Sequence, residues 1–174
     1  MTRRPVRRSL CLAGALVVAL GLSSCATFTD NANAARVGDV ELTRADLEQY
    51  VQEALNARDS TTGADELQGD GFRQIIASWI VDEIIRQQLA TEGESITDDD
   101  VLAAETQLNE QLAGFEVPDF LRQFEMRSLS TRAAYQRAQI AEPLVDFASE
   151  VAVYVDPYYG YWDISTGLVQ PLGS

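Results

Sequence analysis

The segment GFRQIIASWIVDEIIRQQLATEG, residues 71–93, repeats apolar side chains at helical spacing: Phe72, Ile75, Ile76, Trp79, Ile80, Ile84, Ile85 and Leu89. That period gathers them along one side of an α-helix. The stripe is wide enough to be covered from more than one direction, so the segment predicts the central helix of a core. Gly93 predicts its stop, because a residue without Cβ enters the left-handed conformation that closes a helix. A chain carrying this segment must supply apolar partners around it.

The flanking sequence predicts those partners. Val37-Gly38-Asp39-Val40 reads as a tight turn between two very short strands. A helix then begins at Thr43, whose hydroxyl caps the first turn. Asp46 completes a capping box, and Leu42 is placed to staple onto Leu47. Leu47, Tyr50, Val51 and Leu55 fall on one face. Residues 58–70 read as a polar loop before the central helix. After it the device recurs: Thr97 caps, Asp100 closes the box, and Ile96 is placed to staple onto Val101. Asp98, Asp99 and Asp100 suit the positive end of a helix dipole. They lack the loop and distal Glu of an EF-hand, so capping is preferred to a Ca²⁺ site. Gly114 predicts the end of this helix, and a short one begins at Pro118-Asp119 with Phe120, Leu121 and Phe124. Another starts at Ser130 or Thr131 and runs to Pro143, whose ring breaks or kinks it. At residues 151–155 the period changes to alternation, with Val151, Val153 and Val155 on one face of a strand. The expected fold is mainly α: a single helical domain with a small β element formed by short N-terminal strands and a C-terminal strand.

Composition removes many chemistries. The chain has no histidine and no lysine. That excludes Ser-His-Asp and Cys-His triads, HExxH zinc sites, Schiff-base chemistry and a Walker lysine. An enzyme here would work with carboxylates, tyrosines and arginines. A glycosidase needs two acids facing across a cleft, and Glu83, Glu105 and Asp163 are the candidates. Neither catalytic residues, metal nor cofactor is expected.

The first residues, MTRRPVRRS, are basic and lead through LCLAGALVVALGL to Ser23, Ser24 and Cys25. A basic start, a short apolar run and a small-residue junction describe an export signal over residues 1–24. Leu22, Ser23, Ser24 and Cys25 resemble the lipobox of bacterial lipoproteins, and the resemblance implies that Cys25 is acylated. One acyl chain binds a membrane only marginally, so stable anchoring needs the further chains that such lipoproteins carry. Ordinary secretory cleavage near Ser24 and an uncut anchor are the alternatives, and the paired arginines leave both Sec and Tat routes open. Residues 26–35 read as a flexible tether from the lipidated Cys25, with the domain over residues 36–174. Localisation is then the extracytoplasmic face of the cell membrane. Four of the 13 basic residues fall in the signal, which leaves nine against 27 acidic ones, a net charge near −18. No basic stripe is present for a nucleic-acid partner.

The phrase RVGDVELTRADLEQYV, the isoleucine-rich helix and EGESITDDDVLAA, taken in this order, resemble the N-terminal chaperone region of SurA-type and PrsA-type foldases. Val37-Gly38-Asp39 departs from the Val-Asn-Gly order usual there. Asp156, Pro157, Tyr159 and Gly160 are similar to an Asp/Asn-Pro-x-Tyr-Gly phrase that ends actinobacterial lipoproteins of this group. The resemblance implies a chaperone module without the parvulin isomerase domain, for which the chain has no room. It also implies that residues 36–42 lie beside residues 151–155. On this reading the partners are the bilayer, through acylated Cys25, and unfolded or exported polypeptides. The alternative is a structural or adaptor lipoprotein that binds one envelope partner.

Residues 151–167, VAVYVDPYYGYWDISTG, crowd Tyr158, Tyr159, Tyr161 and Trp162 around a Pro and a Gly. These four are the candidate client-binding residues. Asp156-Pro157 with Gly160 is expected to end the strand in a turn. Trp162 and one tyrosine are expected to cover the helical core, with the rest at its edge.

Overall fold

The computed structural model describes residues 32–57, 69–112 and 117–173. The expected signal, Cys25 and the start of the tether lie outside the described residues, as does Gly114. The fold is mainly helical with small antiparallel sheets. In chain order the elements are β1 (Asn33–Val37), β2 (Val40–Thr43), α1 (Arg44–Ala57), α2 (Asp70–Thr91), α3 (Asp98–Gln111), α4 (Asp119–Ala138), α5 (Leu144–Ala148), β3 (Val153–Val155), β4 (Tyr161–Asp163) and β5 (Leu168–Gln170). Among the described residues no helix is long and apolar enough to cross a membrane.

The first sheet has the order β2-β1-β3. Val37 pairs Val40 across the Gly38-Asp39 turn, and on its other edge β1 sets Ala35, Arg36 and Val37 against Val155, Tyr154 and Val153. The expected meeting of the N-terminal and late strands is therefore present, through β1 and the Gly38 amide, which donates to Ala152 O. The register with β2 shifts between Asn33 and Ala35. This irregularity lets two consecutive residues, Ala34 and Ala35, both be fully buried, which regular alternation forbids. The tether reading of residues 26–35 thus extended too far: Asn33, Ala34 and Ala35 already belong to β1. Alanine pairs carry no strand signal, and only the sheet buries them.

Helix α2 is the central element. Ile76, Ile80 and Ile84 are buried in one cluster with β1, β3, α1 and β5, while Ile85 and Leu89 enter a second cluster with Ala134 of α4. It is covered on two sides, as its stripe predicts. Its C-terminus closes as a Schellman motif: the Gly93 amide (φ +74°) donates to Ala90 O and the Glu94 amide to Leu89 O. At α3 the capping box is complete, with Thr97 Oγ1 accepting from the Asp100 amide and the Asp100 carboxylate accepting from the Thr97 amide. At α1 the Asp46 amide donates to Thr43 Oγ1 and the Thr43 hydroxyl to Asp46 Oδ2. Of the two residues of the second staple, Ile96 packs into the second cluster while Val101 stays exposed.

Helix α4 starts at Asp119 as expected but differs from its sequence reading in its continuity and its end. It is one continuous helix where two were expected. Ser130 and Thr131 are mid-helix and buried, their hydroxyls donating back to Arg127 O rather than capping a new start. The helix ends at Gln139, in the left-handed conformation (φ 49°, ψ 45°), before Pro143 is reached. Pro143 instead precedes α5, and its carbonyl accepts from the Asp146 and Phe147 amides. The start of α4 has no side-chain cap of its own, since Pro118 occupies that position. Glu53 of α1 supplies one from 68 residues away, Oε2 accepting from the Leu121 amide at 3.0 Å.

Two polar locks complete the helical packing. Asp82 and Glu83 of α2 are buried against α4, where Asp82 accepts from Ser128 and Arg132, and Glu83 from Arg127 at 2.5 Å. Between α3 and α4, Arg137 reaches Asp100, Glu94 and the Ser95 carbonyl. Burial pushes the Asp100 carboxyl up, but the bonds from Arg137 and Thr97 outweigh it and hold it below the usual carboxylate range. Beyond β3, β4 and β5 form a hairpin that buries Val169 and packs Trp162 on the main cluster.

Candidate functional site

The turn after β3 is built around one carboxylate. Asp156 ends the strand, and its Oδ1 accepts from the Tyr158 amide at 2.8 Å, the side-chain turn that Asp favours. Its carbonyl accepts from the amides of Tyr159 and Gly160. The Asp156 amide donates to Ala34 O, which extends the pairing with β1. Gly160 (φ +139°) is obligatory, since a Cβ there would lie 2.0 Å from Gln170 O. The Asp-Pro-x-Tyr-Gly phrase is thus a folding device that turns the chain from β3 into β4.

The same carboxylate is fastened to α1. Arg44 donates from Nη2 to Asp156 Oδ2 at 2.5 Å, and Asp156 is only 5 % exposed. Its guanidinium also lies 5.8 Å from the Tyr158 ring centre, a cation–π distance. Tyr158 meets Tyr159 edge to face at 5.1 Å, and Tyr159 lies 6.0 Å from Phe72 at the start of α2. Burial pushes the Tyr159 phenol up, so it stays neutral around pH 7.

Between α1, the start of α2 and this turn lies an open groove of about 900 Å³. Phe72, Tyr158 and Tyr159 make its aromatic wall, and Glu48, Gln49 and Gln52 of α1 face them. Tyr158 is 80 % exposed, whereas Tyr159 is buried. Gln49 and Gln52 donate to Glu53 and Asn56 one turn on, which leaves their carbonyl oxygens as acceptors along the groove. Arg73 also lines it, paired to Asp70.

The four aromatics expected to act together are divided by the structure. Tyr158 and Tyr159 line the groove. Tyr161 is half-exposed on the outer face of β4, and Trp162 packs on the core with its indole Nε1 buried and without an acceptor among the described residues. One tyrosine and the tryptophan therefore cover the core, as expected. Phe72, Glu48 and Arg44 escaped the sequence reading, because nothing local marks them as neighbours of residues 156–159. The three candidate carboxylates sit on three different elements. Glu83 is locked to Arg127, Glu105 is exposed on α3, and Asp163 accepts from the Ser165 hydroxyl, which holds it below the usual carboxylate range. Among the described residues no group of acids is placed to hold a metal ion.

No protein-family model matches this sequence, and no significant similarity is found to a curated protein or to a solved structure.

Proposed function

We propose that this chain is a membrane-anchored, extracytoplasmic lipoprotein that acts as a chaperone or foldase accessory, binding exported unfolded polypeptides without prolyl isomerase activity. The supporting observation is the open groove whose aromatic wall ends in the exposed Tyr158, held out by the Arg44–Asp156 pair. An exposed aromatic on a rigid turn gives contact area at small entropic cost, as transient recognition of apolar segments requires. The acidic surface keeps such a protein soluble while it exposes that ring. Acylation of Cys25 would place the groove at the membrane surface where exported chains emerge.

The test is suppression of aggregation of a reduced, unfolded client by the mature chain carrying Cys25→Ala. Suppression that is weakened by Tyr158→Ala is the expected result. No suppression at several-fold excess, with a pull-down that returns one stoichiometric envelope protein, would replace this reading by a dedicated adaptor.

A further inference from the structure

Arginine is the only basic side chain in this protein, and among the described residues the fold engages six of the eight arginines with an acid or beside one. Arg44, Arg73, Arg127, Arg132 and Arg137 each bond a carboxylate, and Arg86 bonds Thr131 beside Glu83. The acids are not consumed in return, because they outnumber the arginines of the domain about threefold. The groove shows the imbalance locally. Its two neighbouring cations are neutralised, Arg44 by Asp156 and Arg73 by Asp70, whereas Glu48 is exposed on its rim with no ion pair among the described residues.

We infer that the groove's preferred occupant is an extended polypeptide segment in which Lys or Arg alternates with aliphatic or aromatic residues. This rests on the chaperone reading above and specifies its client chemistry. Each part of such a segment has a counterpart on the page. The cationic head pairs with Glu48, and its field is reinforced by the unneutralised acidic surface. The apolar side chains lie on Phe72 and Tyr159, and Tyr158 offers a ring face to a cation or an apolar group. The Gln49 and Gln52 carbonyls accept from peptide N–H groups, which an extended segment leaves unpaired. An acidic segment would meet Glu48 with like charge and find no unpaired cation among the described residues that line the groove.

The experiment is fluorescence anisotropy with three short labelled peptides of equal length, in which Leu and Tyr alternate with Lys, Gln or Glu. The partner is the full-length protein in a non-ionic detergent. The Lys peptide is expected to bind about tenfold or more tightly than the Glu peptide at low salt and to weaken as salt rises. Glu48→Gln and Tyr158→Ala are each expected to weaken it, while Glu105→Gln on α3 leaves it unchanged. Circular dichroism confirms that these exposed-site variants fold. Equal binding of all three peptides that still depends on Tyr158 would overturn the cationic preference and leave the chaperone reading standing. Binding of the Lys peptide that ignores both groove variants would show diffuse attraction and overturn the site. No binding of any peptide would count against both.

Discussion

Arg44, the first residue of α1, donates to Asp156, the residue that follows β3, at 2.5 Å across 112 positions of sequence. Through this bond the helix that forms one wall of the groove and the turn that forms the other are held as one unit. Arg44 is half-buried and Asp156 buried, so water screens the pair only in part.

Removing the arginine strands the acid. Arg44→Met should lower stability by about 2 kcal/mol, the cost of a lost charge-assisted bond plus an unpaired buried carboxylate. Asp156→Asn should cost less, because an amide oxygen still accepts from the Tyr158 amide. Urea unfolding of the two single variants and the double variant measures the coupling, and additive effects would show that the pair contributes nothing.

Acid should release the lock between α3 and α4. The folded Asp100 carboxyl titrates below its unfolded value, so the stability it contributes is complete above the ordinary carboxylate range near pH 4 and is lost as pH falls through the folded value. The advantage of the wild type over Asp100→Asn should therefore be constant from neutral pH to about pH 5 and shrink below it. Urea midpoints measured across that range check this, and an advantage that grows on acidification would contradict it.

Two glycines with positive φ should respond differently to alanine. Gly160→Ala pushes a Cβ into the Gln170 carbonyl and should cost at least about 2 kcal/mol. Gly167 (φ +67°) has open space around it, so Gly167→Ala carries only the left-handed penalty of about 1 kcal/mol. Thermal melting of both variants compares them directly.

Lipidation is tested outside the domain. Cells fed a radiolabelled fatty acid should label the wild-type protein and not Cys25→Ala. Equal label in both would remove the membrane anchor from the proposed function.

Local devices were legible in the sequence because their physics spans a turn or less. Thr43 with Asp46, Thr97 with Asp100 and Gly93 act within a few residues, and all three sit where their chemistry places them. The same local reasoning failed where tertiary packing outweighed it. Ser130 and Thr131 look like a helix start, yet burial between α2 and α4 keeps the helix continuous through them. Asp82 and Glu83 look like solvent-facing acids in a helical pattern, and the arginines that hydrogen-bond them, Arg132 and Arg127, lie 50 and 44 positions away.

The sequence by itself determined the mainly helical class, the central place of α2, the turn at Asp156-Pro157 and the exclusion of histidine and lysine chemistry, because periodicity, capping and residue inventory are properties of short stretches. The expected nearness of residues 36–42 to residues 151–155 is met by the pairing of β1 with β3. Only the tertiary structure decided which aromatics face outward and which acid stands beside them. The groove joins residues 48, 72 and 158 from three elements, and its charge balance depends on which arginines folding has already neutralised.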